Sequence, residues 1–208
     1  MTRLSLVVCA VALGAAVLAA SDNEFVTTWK APGAGEMNFA GRKVAAVLIT
    51  DDDSLRVSTE EALAREITAR GPQGIPAYRI IPREEVKNTD GAKGWFERAG
   101  IEGLVVLRLV QTDTQKVYSS MVWSSGYYAS PWAYWGNGWA TVTPIGKGRD
   151  SRTITVETIL YDLQKDAPIW ACVSRTTDPK NVQIYVKSLT IDIVKKLEKD
   201  GLVRTRLR

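Results

Sequence analysis

The sequence predicts a single α/β domain: a two-layer fold with one mixed sheet of five or six strands and about three helices. Three observations lead to this prediction. Two unbroken apolar runs, Val44–Ile49 and Leu104–Val110, are typical of strands buried on both faces. Helical periodicity lies between them, and two segments rich in Thr and Val near the C-terminus are typical of a β-hairpin. A chain of 208 residues suits one such domain.

The helix that follows the first strand has clear boundary signals. Asp53 or Ser58 can cap its N-terminus, and Ser58 with Glu61 fits a capping box. Apolar residues on one face follow, and Gly71 ends the helix. The face consists of Leu55, Ala62, Leu63 and Ile67.

The middle of the chain completes a β-α-β-α-β order. Ala77–Ile81 is predicted as a short strand, and weaker helical signals cover residues 82–86 and 90–99. The strand Leu104–Val110 comes next. This order favours parallel strands joined by crossover helices.

The second half has a different character. Lys116–Trp123 is predicted as a strand, and Thr153–Asp162 with Pro168–Thr177 as a hairpin. Asp178 before Pro179 gives the preferred start of a last helix, which Gly201 ends. Its apolar residues then repeat at helical spacing.

The N-terminal residues predict an exported protein. Residues 1–20 combine one basic residue, an apolar run and small residues, as a secretory signal does. An extended lead-in (21–40), the domain (41–203) and a short basic tail (204–208) follow. The protein is expected in the periplasm or outside the cell, and association with the outer membrane is one of the expected locations.

The composition excludes several classes of catalytic site, metal site and partner. The chain has no histidine, which excludes Ser-His-Asp and Cys-His catalysis and His-ligated zinc. Cys172 is the one cysteine outside the signal and is predicted to be a buried filler. The net charge of +4 is mild and without a basic block, so nucleic acid is not an expected partner. No cofactor and no metal site are expected.

Three aspartates end the first apolar strand, where open α/β sheets place ligands. The stretch from Val47 to Leu55 resembles the opening of haloacid-dehalogenase-type phosphatases, an apolar strand that ends in D-x-D. The resemblance implies Asp51 as nucleophile and Asp53 as general acid of a metal-dependent phosphohydrolase. Leu55 stands where that family has Thr or Val. The alternative is that the aspartates start the helix by capping and by interaction with its dipole.

A long segment of uncharged residues is the main candidate for function. Residues 117–146 carry no charge and hold eight of the seventeen aromatic residues of the chain. Each such ring can remove roughly 150–250 Å² from water. The predicted binding residues are Trp123, Tyr127, Tyr128, Trp132, Tyr134, Trp135 and Trp139.

Three interpretations of this aromatic segment stay open. Its rings can be structural, filling the core or covering the sheet. They can form a recognition loop for proteins or sugars, since Gly, Ser and Asn lie between them. They can also lie against a membrane, whose interface Trp and Tyr favour.

The chain resembles a group of small, uncharacterised bacterial envelope proteins, many of them of the lipoprotein type. The resemblance lies in the motif Thr27–Pro32, the aromatic run Tyr128–Trp139, and Trp170 followed by Thr177–Val182. Where that group has a lipid-acceptor Cys, this chain has Ala20 and Ser21. The strand and helix order is similar to the α/β domains of periplasmic accessory lipoproteins. Those include activators of cell-wall synthases and the periplasmic domain of the curli secretion channel.

Together these observations predict a non-enzymatic envelope protein that acts as an accessory or binding module. Its expected partner is an envelope protein, a glycan or a membrane surface, bound through residues 117–146. The sequence leaves the oligomeric state open.

Overall fold

A computed structural model describes residues 23–110, 122–142, 153–177 and 181–204. Several of the predicted features lie outside the described residues. These are the signal (1–20), most of the predicted strand at 116–123, the ends of the aromatic segment, the cap at 178–179 and most of the basic tail.

The described residues form six strands and four α-helices. The strands are β1 (Glu24–Lys30), β2 (Lys43–Ile49), β3 (Gln73–Pro76), β4 (Gly103–Val110), β5 (Thr153–Asp162) and β6 (Ala167–Thr177). The helices are α1 (Asp53–Thr68), α2 (Thr89–Ala99), α3 (Pro131–Ala140) and α4 (Val182–Lys199). Short 3₁₀ helices cover Ala34–Glu36, Ala77–Arg79, Arg83–Glu85 and Gly126–Ala129.

All six strands belong to one mixed sheet, in the order β1-β6-β5-β4-β2-β3. β2 pairs in parallel with both β3 and β4. β4, β5, β6 and β1 pair antiparallel to one another in that order. The predicted fold class, a single α/β domain with a mixed sheet of five to six strands, is confirmed, and so are the parallel first half and the hairpin.

Helices cover both faces of the sheet, so the domain has three layers rather than the predicted two. On one face the helices α1 and α4 pack over aliphatic side chains such as Leu107 and Val156. On the other face α2 and α3 cover Val106 and Ile159. The third layer arises because α2 lies on the opposite face of the sheet from α1, and α3, formed by part of the aromatic segment, lies on the same face as α2.

Two segments differ from the prediction. Residues 24–30, predicted as a lead-in outside the domain, form β1 at the edge of the sheet beside β6. Residues 77–81, predicted as a strand, begin with a 3₁₀ turn, because the strand itself is β3 and ends at Pro76. Proline has no N–H to continue a ladder, so its position suits a strand end.

Helix α1 begins one residue earlier than predicted. Asp52 is its N-cap, and its carboxylate accepts the Leu55 N–H at 2.9 Å. Ser58, the other predicted cap, lies inside the helix and donates its hydroxyl to the Leu55 carbonyl. The predicted apolar face is confirmed, since Leu55, Ala62, Leu63 and Ile67 are all buried.

Candidate functional site

The structure buries most of the predicted binding residues. Five of the seven rings are at most 6% exposed: Trp123, Tyr128, Tyr134, Trp135 and Trp139. Tyr127 and Trp132 are half-buried. The prediction that all seven rings form a contact surface is therefore corrected for those five, because they belong to the core on this face of the sheet.

The segment folds inward because its sequence specifies a helix. Ser130 accepts the Trp132 N–H at 3.3 Å, and Pro131 occupies the first turn, where its missing N–H costs nothing. The buried residues then recur at helical spacing and face the sheet. They are Pro131, Tyr134, Trp135, Gly138 and Trp139. A Cβ on Gly138 would lie 2.5 Å from Cδ1 of Ile49, so glycine lets α3 approach β2 closely.

A buried polar network attaches the aromatic segment to the sheet. Glu157 of β5 is fully buried and accepts hydrogen bonds from the hydroxyls of Tyr128 at 2.6 Å and Tyr134 at 3.0 Å. Arg108, its cross-strand neighbour on β4, lies with Nη1 3.7 Å from the Glu157 carboxylate. The Tyr161 hydroxyl donates to the Tyr128 carbonyl at 3.0 Å. These buried polar side chains hold the segment in place.

The tyrosines and the arginine of this network keep one protonation state at neutral pH. Burial, followed by the charge of Glu157, raises the pKa of the Tyr128, Tyr134 and Tyr161 hydroxyls. Burial opposes the charge on Arg108, but Tyr134 and Glu157 outweigh it and raise the Arg108 pKa. At neutral pH the tyrosines are therefore donors, and the guanidinium is charged. The Tyr128 and Tyr134 hydroxyls therefore serve as hydrogen-bond donors to Glu157.

The sequence contains a signal for this network. Arg108 is the one charged residue of β4, and Glu157 is the one charged residue in the interior of β5, whose other charge, Asp162, ends the strand. A charge at such a position needs a partner, and the antiparallel register of β4 and β5 supplies one for each. Only the pairing of the strands shows which carboxylate faces which cation.

The aspartates that suggested a phosphatase are engaged at the start of α1. Asp51 forms an ion pair with Lys87 at 2.9 Å and Asp53 with Arg83 at 2.5 Å. Asp52 caps the helix. Within the described residues no group of three or more His, Cys, Asp or Glu side chains could hold a metal. Capping thus accounts for Asp52, and the ion pairs with Lys87 and Arg83 account for Asp51 and Asp53.

Cys172 and Glu60 are two further buried groups with catalytic potential. Cys172 is fully buried, and burial raises the pKa of its thiol to about 12, so it is a filler as predicted. Glu60 of α1 is also fully buried. Burial raises its pKa to about 7, although Arg56 and the Leu48 and Tyr78 N–H groups favour its ionised form.

The Glu60 side chain accepts hydrogen bonds that hold β2 and the turn after β3 to α1. Its Oε1 accepts the Leu48 N–H at 3.1 Å and the Arg56 Nε–H at 3.3 Å, and its Oε2 accepts the Tyr78 N–H at 2.7 Å. β3 ends at Pro76, so it offers Leu48 no carbonyl beyond that point. The carboxylate replaces the missing strand partner.

No family model and no curated protein matches this chain. None of the helices in the described residues has the length and apolar character that crossing a membrane requires. The chain is similar to the solved PelC dodecamer from Paraburkholderia phytofirmans at 10% identity and a TM-score of 0.44, over 88% of this chain and 100% of that one. A point-substituted form of the same dodecamer gives 14% identity and a TM-score of 0.44, over 86% and 96% of the two chains. Similarity at this level supports no statement about the function of this chain.

Proposed function

We propose that this protein is an exported, non-enzymatic accessory or binding module of the bacterial envelope. It contacts its partner through the outward side of the aromatic segment. The observation that carries the proposal is the division of that segment into two sides. The inner side forms core, whereas the outer side presents the half-buried Trp132 and Tyr127 among small uncharged residues.

Export and the absence of catalysis rest on separate arguments. The signal pattern of residues 1–20 supports export. The lack of histidine, the buried thiol of Cys172 and the ion pairs of Asp51 and Asp53 argue against an enzyme. Magnesium-dependent phosphatase activity that Asp51→Asn abolishes would contradict this part of the proposal.

The outer side of the segment has the character of a contact surface. The Trp132 ring is held against Phe96, with ring centroids 6.3 Å apart, and Lys93 lies 5.8 Å from its centroid. Tyr127 packs on Tyr128 with centroids 4.3 Å apart. Rings that are fixed before binding lose little conformational entropy on contact.

Site-specific photo-crosslinking in living cells tests the proposal. A photoreactive residue replaces Ala133, which is exposed on α3, or Val57, which is exposed on α1 at the opposite face of the sheet. We expect crosslinks to envelope material from position 133 and a clear excess over position 57. Equal labelling at the two positions would show that α3 carries no partner.

A further inference from the structure

We propose that the partner of this surface is an uncharged oligosaccharide that lies across α3. This inference rests on the proposed function and names the class of partner. The α3 surface consists of Ala133, Asn137 and Ala140 on the outward face of the helix, with Trp132 and Tyr127 on its flanks.

Helical geometry places the two rings on opposite flanks of the surface. At about 100° per residue, Ala133, Asn137 and Ala140 share one face, while positions 132 and 134 lie to either side of it. Trp132 leans toward α2, where it contacts Phe96. Tyr127 stacks on Tyr134 at 6.1 Å, with 22° between the rings, and so lies on the other flank.

Between the two rings the outward side chains of the helix are small, and two of them are polar. Ala133, Ala140 and Thr141 are exposed, and Asn137 is half-buried. Because the outward positions of α3 carry only these small side chains, a flat ligand can reach the backbone of the helix. The indole and phenol rings offer apolar surfaces to the C–H faces of sugar rings, while amide and hydroxyl groups suit sugar hydroxyls.

A buried cation supports the polar centre of the surface. Arg108 is 5% exposed, and its Nη1 and Nη2 donate to Asn137 Oδ1 at 3.4 Å and Thr141 Oγ1 at 2.5 Å. Its buried Nε has no hydrogen-bond partner among the residues that the structure describes. Because Arg108 occupies the carbonyl oxygen of Asn137, the amide NH₂ is the group that can donate to a ligand.

The charges favour a neutral partner over an anionic one. Residues 122–142 contain no charged side chain. Glu157 lies within 3.7 Å of Arg108 and offsets its charge, and Lys93 lies 4.0 Å from Glu97. The surface therefore exerts little net attraction on a polyanion. Its outward positions are alanine, asparagine and threonine, whereas an interfacial helix enters a bilayer with a row of large apolar side chains.

The size of the helix sets the length of the ligand. An α-helix with its side chains is about 10–12 Å across, and the two rings lie on either side of α3. A monosaccharide cannot touch both rings, whereas an extended oligomer can. We therefore expect hexasaccharides to bind and single sugars to fail.

Isothermal titration of the purified mature protein provides the test. The probes are hexamers of β-linked glucose and of N-acetylglucosamine, with glucose as the monomer control. We expect Trp132→Ala and Tyr127→Ala each to weaken binding of the better hexamer about tenfold. Trp95→Ala is the matched control, since it removes a half-buried indole from α2 that Arg98 covers at 4.4 Å, and it should bind like the wild type.

A variant at an exposed position separates loss of binding from loss of folding. Ala133 is exposed, so Ala133→Arg should fold normally by circular dichroism while its long side chain blocks the surface. We expect it to abolish hexamer binding, whereas Ala133→Ser should preserve it. Failure of both hexamers to bind, or full binding by Ala133→Arg, would overturn the inference.

The outcomes also separate this inference from the function on which it rests. Crosslinks from position 133 without hexamer binding would leave the envelope contact standing and remove the oligosaccharide. Binding to vesicles of phosphatidylethanolamine and phosphatidylglycerol that Ala133→Arg abolishes, without hexamer binding, would assign the surface to a membrane and overturn the inference. A dimer seen by light scattering that Ala133→Arg dissociates would assign the surface to a second copy of the chain instead.

Discussion

Single buried charges in this protein take the place of missing backbone partners or hold a segment to the sheet. Glu60 accepts the N–H groups of Leu48 and Tyr78 beyond the end of β3. Glu157 accepts two tyrosine hydroxyls from the aromatic segment. An unpaired buried polar group costs about 1–3 kcal/mol, so each carboxylate removes such a penalty from two donors.

Glu60 should make the stability of the protein depend on pH. Its pKa is about 7 in the folded protein, raised mainly by burial from an ordinary value of 4.5. A carboxyl with a raised folded pKa favours folding while it is protonated. Its contribution is therefore complete below pH 4.5 and is lost as the pH rises through about 7. The difference amounts to about 3 kcal/mol.

The measurement is urea unfolding of the wild type and of Glu60→Gln at about pH 5 and about pH 8, on either side of the folded pKa. Glutamine does not titrate, so the stability of the wild type relative to the variant should fall by about 2–3 kcal/mol between the two values. Glu84→Gln, on an exposed residue, should differ from the wild type equally at both. A constant difference for Glu60→Gln would show that its carboxyl has the same pKa in the folded and unfolded chain.

Among the elements, β3 depends most on a single small residue. A Cβ on Gly74 would lie 2.1 Å from the Ala64 carbonyl oxygen and 2.8 Å from its carbon. Those atoms belong to the backbone of α1 and cannot rotate away. The Gly74 N–H donates to the Thr68 hydroxyl at 3.0 Å, so a side chain of α1 satisfies the outer edge of the strand. α1 and the edge strand β3 are therefore in close backbone contact at Gly74.

Gly74→Ala should therefore separate α1 from β3 and lower the free energy of unfolding by about 1–3 kcal/mol or more. Thermal and urea unfolding measure the loss. Gly35→Ala is the control, because a Cβ there meets only the end of the Lys30 side chain at 3.6 Å. Equal stability of the two variants would show that α1 is not seated on β3 as described.

The success of prediction at the element scale followed the strength of local signals. Apolar runs predicted β2 and β4, and the hairpin β5–β6 was predicted almost to its bounds. The edge strand β1 was missed, although its exposure alternates along the whole strand as period two requires. Its alternation includes Thr and charged residues, which weakens the hydrophobic pattern.

Helix α3 was also missed, although its start carries the same signal that predicted the last helix. Ser130 before Pro131 is a cap followed by proline, as Asp178 before Pro179 is in the sequence. Two glycines, at 136 and 138, lower the intrinsic propensity of the segment. Packing reverses their effect, since Gly138 allows the close approach to β2.

At the scale of the whole molecule, the sheet is enclosed by two unlike cores. The α1–α4 side is mainly aliphatic, whereas the α2–α3 side is built from rings of the aromatic segment. Composition alone identified those rings but not their orientation, because an aromatic-rich segment fits a core and a surface equally well. The helical phase of α3 and the position of Glu157 decide which rings turn inward.

Quenching of tryptophan fluorescence by iodide measures this division across the molecule. Trp29, Trp95 and Trp132 are half-buried, and the other four indoles are enclosed. Iodide does not enter a packed core, so a minority of the emission should be quenchable in the native protein and nearly all of it in urea. Trp132→Phe should reduce the native quenchable fraction, since the Trp132 indole is half-buried and part of it is open to solvent.

Trp135→Phe is the matched control, because its indole is buried and donates to the Val86 carbonyl at 2.9 Å. It should lower the total emission and leave the quenchable component unchanged. If iodide reached most of the native emission, or if Trp135→Phe removed quenchable signal, the rings of the segment would face solvent. The ring-filled core on the α2–α3 side would then be wrong, and the sequence-based prediction of a contact surface made of all seven rings would stand in its place.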